Sequence, residues 1–368
     1  MAIPFFDITR QNAALRREID AAVGQVIDKG RFILGENVAE LEKEFAAYCG
    51  TKFAVGVASG TDALHLALKA CGIKAGDEVI TTPFTFVATA EAIDYCGAQP
   101  VFVDIEPNTF NIDPAKIAKV ITKKTRAILP VHLYGLAANM NEINKVAREH
   151  GLRVIEDCAQ ATGAAIGSQR VGSIGDAGCF SFFPTKNLGC FGDGGMITVN
   201  DEKLADEIRV LRGHGSRKPY HYDLIGYNSR LDELQAAIVR VKLPHLDDYV
   251  KSRQKTADIY HKHFKVLTEL ALPHEPKGFT HTYNQYTVRV QERDAFFEFL
   301  KKKGAGAMVY YPLSLHLQTA FAGLGHKPGD FPESEKAQDE VISLPIFPEL
   351  TDREAGDACH VIQSYFAR

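Results

Sequence analysis

The sequence lacks tryptophan, long apolar runs and any excess of basic residues, and the last two absences exclude whole classes of protein. No apolar run approaches the roughly 20 residues that a helix needs to cross a bilayer. The 42 lysines and arginines are balanced by 46 aspartates and glutamates, so no basic surface for nucleic acid is indicated. Residues 1–10 also lack the basic and apolar regions of a signal peptide. We therefore expect a cytoplasmic protein that binds neither nucleic acid nor membranes.

Cysteine is present, but not in the patterns of a disulfide framework or a zinc site. The seven cysteines are an odd number, and no two of them are spaced as Cys-x-x-Cys. Four lie among apolar or small residues, namely Cys71, Cys96, Cys158 and Cys179. The pattern predicts buried, reduced thiols and no metal site.

Short apolar runs alternate with segments of helical period in the first part of the chain. The apolar runs are Glu78–Thr81, Pro100–Asp104, Ala127–Val131, Arg153–Glu156 and Gly195–Val199, and the helical segments are Val87–Tyr95, Asp113–Ile121 and Met140–His150. This alternation predicts an α/β fold with a mainly parallel sheet sandwiched by helices. From Asp20 to about Gly72 the pattern is helical, with a break at residues 30–35.

A second, smaller unit is expected in the C-terminal part of the chain. A helical segment that ends at Lys242 is interrupted by Pro244, and a long amphipathic segment, Leu246–Phe264, follows it. With 368 residues the chain has room for one large and one smaller domain. We predict a large domain of residues 1–243, and a smaller α+β domain of residues 244–368 on which the N-terminal segment can pack.

Lys186 and Asp157 are the first candidates for chemistry. Lys186 lies in the polar loop after the apolar run Cys179–Phe183, and Asp157 ends another apolar run. Ligands of parallel sheets bind at the carboxyl ends of strands, where both residues are expected. A lysine that can form a Schiff base, with an acidic partner on another strand, is what pyridoxal phosphate (PLP) chemistry requires. Taken alone, Asp157 is explained equally well by a structural ion pair or a helix cap.

Three further features suit a phosphate-bearing aromatic ligand, and each also has a structural explanation. Gly60 and Thr61 lie in a Ser-Gly-Thr turn that opens a helix, which suits either a phosphate or a simple N-cap. Ser181 offers a hydroxyl to a phosphate, or it is a polar residue of a strand. Phe86 follows a strand and can stack on a planar ring, although an aromatic side chain there also packs in a core.

Five ordered segments carry a resemblance to a known family. They are Gly60–Leu64, Thr82–Thr89, Glu156–Gln160, Ser181–Lys186 and Gly226–Ala237. Together they resemble the DegT/DnrJ/EryC1/StrS family of nucleotide-sugar aminotransferases, and the resemblance extends from Phe6 to near the C-terminus. It implies PLP as cofactor and the fold type I arrangement of PLP enzymes, which is like that of aspartate aminotransferase.

The resemblance implies roles around the cofactor ring. Lys186 would hold PLP through a Schiff base, and Asp157 would pair with the pyridine nitrogen. Phe86 would stack on the ring, while Gln160 would contact the ring or its phenolic oxygen side. Lys186, once freed, would also move protons while an amino group passes from L-glutamate to a ketosugar attached to a nucleoside diphosphate.

The resemblance further implies how the cofactor phosphate is held. Gly60, Thr61 and Ser181 would bind it from the same chain. Asn228 would reach the phosphate of a neighbouring subunit, which implies a homodimer with shared active sites.

The choice of sugar rests on fewer residues. The segments around Tyr220 and Arg230 look like the branch of the family that acts at C3 of 3-keto sugars. Arg230 could bind a carboxylate bidentately or pair with an acidic residue at a helix N-terminus. Tyr220, Tyr311 and His316 are expected to face the substrate. The resemblance favours a UDP-linked 3-keto uronic acid as acceptor over a dTDP-linked 3-keto or 4-keto 6-deoxysugar. It also implies that the reaction serves cell-surface polysaccharide or amino-sugar biosynthesis.

Two other functions stay open on the sequence. One is a non-catalytic sensor built on the same fold, although no helix-turn-helix or basic patch is visible. The other keeps PLP but changes the reaction to that of an aldolase, decarboxylase or desulfurase. A desulfurase needs an exposed, reactive cysteine on a mobile loop, and Cys190, in a glycine-rich segment, is the candidate for it.

Overall fold

A computed structural model describes residues 3–367 of the chain. The helices are α1 (Ile8–Ala14), α2 (Arg16–Lys29), α3 (Glu36–Cys49), α4 (Gly60–Ala70), α5 (Ala88–Tyr95), α6 (Pro114–Ile117), α7 (Met140–His150), α8 (Glu202–Arg212), α9 (Glu233–Lys242), α10 (Leu246–Phe264), α11 (Arg293–Lys302), α12 (Pro332–Glu340) and α13 (Asp352–Phe366). The strands are β1 (Phe53–Val57), β2 (Glu78–Thr81), β3 (Gln99–Phe102), β4 (Thr125–Ile128), β5 (Arg153–Asp157), β6 (Ala165–Ile166), β7 (Gln169–Arg170), β8 (Ala177–Ser181), β9 (Gly195–Val199), β10 (Ser216–Lys218), β11 (His221–Tyr222), β12 (Phe279–Thr280), β13 (Tyr286–Arg289) and β14 (Val341–Leu344). Among residues 3–367, no helix is both long and apolar enough to cross a membrane.

Local sequence explains where several helices begin and end. Helix α2 ends at Gly30, whose left-handed conformation (φ 64°) glycine adopts at little cost, and the predicted break at this point is confirmed. Ser59 caps helix α4, because its Oγ accepts from Asp62 N at 3.1 Å. Pro244 cannot continue helix α9, and a short 3-10 turn leads from there into α10.

The central sheet has seven strands in the order β1-β9-β8-β5-β4-β2-β3. The neighbours β8, β5, β4, β2 and β3 run parallel to one another, and β9 is antiparallel to both β8 and β1. The expected α/β fold with a mainly parallel sheet is confirmed.

Strand β1 corrects the prediction of helix throughout the stretch from Asp20 to Gly72. Helix α3 stops at Gly50, which is left-handed (φ 76°), and leaves a short apolar run before Ser59. Val55 in this run pairs with Ile197 of β9, and both side chains are fully buried. The run has only a weak intrinsic preference for β structure. It forms a strand because pairing with β9 and burial in the sheet stabilise it.

Side chains along the strands point alternately to the two faces of the sheet, and helices cover both faces. In β5, Ile155 packs in the core formed with α4, α5 and α8, whereas Val154 packs on the opposite side with α7. In β9, Ile197 belongs to the first face, and Met196 packs with α3 and α9 on the other. Since both faces are occupied by apolar side chains, polar ligands have access only at the strand ends.

A second core lies in the C-terminal part of the chain, where α10, α11 and α13 pack around the antiparallel pair β13–β14. The N-terminal segment lies against this core. Ile3 N donates to Gly304 O at 2.8 Å, and the rings of Phe6 and Phe347 meet edge to face with centroids 6.1 Å apart. The division into domains of residues 1–243 and 244–368 stays a prediction.

The seven cysteines form no disulfide, and all are buried except Cys71, which is partly buried. The Cys190 thiol donates to Gly192 O at 3.2 Å, and burial raises its pKa to about 11. The Cys190 thiol is therefore protonated at neutral pH and packs in the core. It lacks the exposure that a desulfurase nucleophile needs.

Candidate active site

The carboxyl ends of β5 and β8 lie side by side and bring the predicted residues to one edge of the sheet. Asp157, the last residue of β5, pairs with Cys179 of β8, two positions before Ser181. Helix α4 begins beside them, because a Cβ atom added to Gly60 would lie 2.6 Å from Ser181 Cβ. Asp157, Ser181 and Gly60 therefore share the edge at which ligands of such sheets bind.

Asp157 is a buried carboxylate that forms no ion pair with any residue between 3 and 367. Its side chain is almost fully enclosed, and its two oxygens accept from Thr89 Oγ1 at 2.8 Å and from Ala159 N at 3.1 Å. Burial raises the pKa of Asp157, and these two hydrogen bonds and the nearby Lys186 oppose that rise. A bound cation or N–H group would supply the partner that such a carboxylate lacks.

Lys186 lies in the loop after β8 and is half-buried. Its backbone N donates to Phe183 O at 2.9 Å, but its Nζ has no hydrogen bond or ion pair with any residue in the described range 3–367. Burial lowers the pKa of the amine, which Asp157 counteracts. A lowered pKa raises the fraction of neutral, nucleophilic amine at working pH.

Asn187, which the sequence analysis did not single out, follows Lys186 and is buried with both polar atoms of its amide unpartnered. Among residues 3–367 neither atom has a partner, so a polar ligand group beside Lys186 could supply one. Sequence could not have found this feature, because it depends on the burial of the loop.

An exposed ring faces the edge of the sheet close to Gln160. Phe86 is 54% exposed, and its ring centroid lies 6.3 Å from that of Tyr311. Gln160 Nε2 donates to Tyr311 OH at 2.8 Å, while its Oε1 accepts from Tyr134 N at 2.9 Å. The structure thus brings Phe86, Gln160 and Tyr311 together. An exposed phenylalanine at this place has an open face on which a planar ligand can stack.

The turn that opens α4 keeps several donors free. Ser59 provides the N-cap, so the alternative of capping by Thr61 is excluded and the Thr61 hydroxyl is not used for it. Ser181 Oγ accepts from Phe183 N at 3.2 Å, which leaves its proton for another acceptor. Free N–H and O–H groups at a helix N-terminus suit a phosphate.

The segment of Asn228 and Arg230 is tethered beside this turn. Ser229 Oγ donates to Asp62 Oδ2 at 2.6 Å and accepts from Ala58 N at 3.3 Å. Asn228 is exposed. Arg230 is half-buried and forms no ion pair or hydrogen bond within the described part of the chain.

The ion pair of Arg230 with Asp232 or Glu233, which the sequence left as an alternative, does not form. Glu233 instead accepts from Asn37 N and Val38 N at 3.0 and 2.8 Å, at the start of α3. The Arg230 guanidinium is therefore available to an anion from outside the chain.

Tyr220 and His316 are placed differently from the other predicted residues. Tyr220 is 90% exposed at the tip of the hairpin β10–β11, with a left-handed backbone (φ 64°). His316 is buried, its Nε2 lies 3.0 Å from Glu335 Oε1, and its ring packs on Phe331. Among residues 3–367, no hydrogen bond or ring contact joins Tyr220 or His316 to Lys186 or Asp157. Their substrate contacts stay predictions.

One buried group of side chains near the site has donor atoms of the kind that bind metals, namely His132, Glu156 and Cys158. His132 Nδ1 accepts from Ala138 N at 3.0 Å, so its Nε2 carries the proton and donates to Glu156 at 2.9 Å. Glu156 also accepts from the backbone N–H groups of Gly172, Ile174 and Gly175. These bonds occupy the lone pairs that a metal ion would need, and they brace the strand that carries Asp157.

Comparison with known proteins decides the family. Residues 13–363 match the model of the DegT/DnrJ/EryC1/StrS aminotransferase family. The chain belongs to this family. It is 51% identical over 359 residues to a "Pleiotropic regulatory protein" of Geobacillus stearothermophilus, with 96% of each chain covered. It is 48% identical over 362 residues to a "UDP-N-acetyl-3-dehydro-alpha-D-glucosamine 3-aminotranferase" of Acidithiobacillus ferrooxidans, covering 98% of this chain and 97% of the relative.

A third relative and two solved structures extend the comparison. The chain is 42% identical over 348 residues to a "UDP-2-acetamido-2-deoxy-3-oxo-D-glucuronate aminotransferase" of Pseudomonas aeruginosa, with 95% and 96% covered. The crystal structure of Streptomyces venezuelae DesV in complex with a ketimine intermediate superposes with a TM-score of 0.98 at 41% identity, over 100% and 99% of the chains. The structure of NtdA from Bacillus subtilis with bound PMP gives 0.93 at 30% identity, over 100% and 86%.

The cofactor of this aminotransferase is PLP, and the residues present fit it. Within the described range 3–367, Asp157 has no cationic partner and the Lys186 amine has no hydrogen-bond or ion-pair partner. Phe86 presents an open ring face, and Gly60 lets the N-terminus of α4 approach Ser181 closely. These four features match a pyridine nitrogen, an aldehyde carbon, a planar ring and a phosphate, respectively.

Gly60→Ala tests the close approach of the α4 turn to β8. The added Cβ would meet Ser181 Cβ at 2.6 Å, so the turn must move away from the strand. We expect PLP affinity to fall by about tenfold or more, since donors to a phosphate act only at hydrogen-bond distance. Fluorescence titration of the apoenzyme with PLP measures the change.

Gly24→Ala, in the middle of α2 at a half-buried position, is the matched control. A Cβ at Gly24 meets no atom within 4 Å, so this variant should keep PLP affinity and gain about 0.5–1 kcal/mol of stability. Equal PLP affinity in the Gly60→Ala variant and the wild type would contradict the assignment of the turn to the phosphate.

Proposed function

We propose that this enzyme transfers an amino group from L-glutamate to C3 of a nucleotide-linked 3-keto sugar, with a UDP-linked 3-keto uronic acid as the favoured acceptor. The observation that carries the proposal is that a half-buried lysine and a buried carboxylate lie close enough to influence each other's pKa, while neither forms an ion pair with any residue from 3 to 367. The product would enter cell-surface polysaccharide or amino-sugar biosynthesis, and a cytoplasmic location remains part of the proposal.

The chain's own residues would act as follows. Bound PLP supplies an electron-withdrawing ring that stabilises negative charge on the carbon next to the transferred nitrogen. The Asp157 carboxylate holds the proton on the ring nitrogen, and Phe86 keeps the ring plane in place. Lys186 Nζ takes the proton from the α-carbon of the amino donor and later returns a proton to C3 of the sugar.

The identity of the acceptor rests on Arg230. A half-buried guanidinium without an acidic partner is suited to bind a carboxylate bidentately, either of the donor or of a uronic acid. The Pseudomonas aeruginosa relative, by its name, acts on a UDP-linked 3-oxo uronate, and the Acidithiobacillus ferrooxidans relative acts on a neutral UDP-linked sugar. A neutral UDP-linked 3-keto sugar and a dTDP-linked 6-deoxysugar are therefore the alternatives.

A homodimer with shared active sites is also proposed. The exposed Asn228 would reach the cofactor phosphate of the other subunit, while Gly60, Thr61 and Ser181 bind that phosphate from their own chain. Support comes from the exposure of Asn228, whose side chain can contact a neighbouring subunit.

A panel of UDP- and dTDP-linked 3-keto and 4-keto sugars tests the reaction. With glutamate as donor, we expect aminated product from the UDP-linked 3-keto sugars, detected by mass spectrometry together with 2-oxoglutarate. Product from 4-keto sugars alone would overturn the assignment to C3. If glutamate fails to convert the PLP form to the PMP form even without sugar, a different donor or a sensor function is favoured, as the name of the Geobacillus relative suggests.

Arg230→Met tests the recognition of the uronic acid. We expect kcat/KM for the uronate acceptor to fall by about 100-fold, and that for the neutral UDP-linked sugar by less than about tenfold, because only the first loses a charge-assisted pair. Arg240→Met is the control, since Arg240 pairs with Glu44 away from the sheet edge. A slower half-reaction with glutamate alone would assign Arg230 to the donor.

Mixed dimers test the shared site. When Lys186→Ala and Asn228→Ala chains are unfolded, mixed and refolded, a heterodimer with shared sites contains one site in which both residues are intact. We expect the mixture to regain about a quarter of wild-type activity, because half of the dimers are mixed and each has one complete site. If the refolded mixture is no more active than the two single variants measured separately, Asn228 does not act across the interface.

A further inference from the structure

Behind Asp157 lies a pair of buried threonine hydroxyls that no role assigned so far explains. Thr89 Oγ1 donates to Asp157 Oδ2 at 2.8 Å, and Thr85 Oγ1 lies 3.0 Å from Thr89 Oγ1. Both threonines are at most 3% exposed. The three side chains form a short chain of hydrogen bonds that ends on the carboxylate.

The chain of hydrogen bonds has a single direction when Asp157 is ionised. Thr89 has one hydroxyl proton, which it donates in the hydrogen bond to the carboxylate, so Thr85 must be the donor in the bond between the two hydroxyls. Asp157 Oδ1 is held in turn by Ala159 N. Each carboxylate oxygen thus has one fixed donor, and the carboxylate has little freedom to rotate.

The same segment also carries the ring-stacking residue. Thr85 and Thr89 flank Phe86 at the start of α5, and Thr89 N donates to Phe86 O at 3.2 Å. One short turn therefore joins Phe86, which would stack on the cofactor ring, to Asp157, which would pair with the ring nitrogen. Displacement of this turn would move both groups together.

We propose that Thr89, supported by Thr85, is a positioning residue that orients the Asp157 carboxylate toward the ring nitrogen and keeps it negatively charged. The inference rests on the proposed role of Asp157. It deepens that role, because it names a donor that favours the ionised form of this buried carboxylate.

The electrostatics of the site support the proposal. Burial raises the pKa of Asp157, and the hydrogen bonds from Ala159 and Thr89 act against it. Hydrogen bonds to the charged form favour that form, so loss of the Thr89 hydroxyl leaves burial less opposed and favours the neutral acid. A neutral Asp157 would hold the proton on the ring nitrogen less strongly.

Thr89→Val tests the proposal, because valine has nearly the same shape but no hydroxyl. We expect the Kd for PLP to rise about tenfold, as is typical when a charge-assisted hydrogen bond is lost. The nitrogen-15 NMR signal of PLP labelled at the ring nitrogen should also move toward that of the unprotonated ring. Thr89→Ser keeps the hydroxyl and should return the Kd to within about threefold of wild type, with an unchanged NMR signal.

Thr81→Val is the matched control for a merely structural effect. Thr81 is equally buried, and its hydroxyl donates to Leu129 O at 2.8 Å, away from Asp157. Its loss should lower the thermal stability of the protein and leave the Kd and the nitrogen signal unchanged. Thr85→Val keeps the bond from Thr89 and should change the Kd by less than Thr89→Val does.

Asp157→Asn separates failure of this inference from failure of the proposed site. If Asp157→Asn changes both the Kd and the nitrogen signal but Thr89→Val changes neither, the inference about Thr89 is wrong and the site stands. If Asp157→Asn itself leaves both unchanged, the proposed role of Asp157 is wrong. If Thr89→Val loses stability but leaves the nitrogen signal unchanged, Thr89 contributes only to stability and does not position Asp157.

Discussion

The structure of the site depends on one buried carboxylate that forms no ion pair with any residue from 3 to 367. Asp157 ends a central strand, where burial is almost complete and an unpaired charge is costly. Two fixed donors, Thr89 Oγ1 and Ala159 N, offset part of that cost, and a cofactor with a protonated ring nitrogen would offset more. Lys186 lies near enough to influence the pKa of Asp157 without pairing to it, so its amine remains free to react.

The fold supports this arrangement through parallel strands and close backbone contacts. Because β5 and β8 run parallel, their ends bring Asp157 and Ser181 to the same edge. Glycines allow the turn that opens α4 to pack against that edge: a Cβ on Gly60 would strike Ser181, and one on Gly195 would lie 2.3 Å from Ser59 O. Next to Asp157, Glu156 turns to the other face and is held by His132 and three backbone N–H groups.

Much of this could be predicted from the sequence, because the family's motifs are local and ordered. The alternation of strands and helices indicated the sheet, and Lys186 and Asp157 followed from their positions after apolar runs. Features that depend on distant contacts could not be predicted. Strand β1 forms only by pairing with β9, far along the chain. Thr89 sits inside a helical segment, and its hydroxyl gains a role only where the fold brings it to Asp157, 68 residues away. Arg230 does not form the ion pair with Glu233 that the sequence left as an alternative, because Glu233 is bound to the start of α3.

The central claim is that Lys186 is the residue that binds PLP covalently, and its most direct measurement is chemical trapping. Borohydride reduction of the purified enzyme with PLP, followed by proteolysis and mass spectrometry, locates the modified lysine. The account predicts one pyridoxyl group per chain, on the peptide that contains Lys186, and none in the Lys186→Ala variant. Stoichiometric label on another lysine, or label that persists in Lys186→Ala, would contradict it.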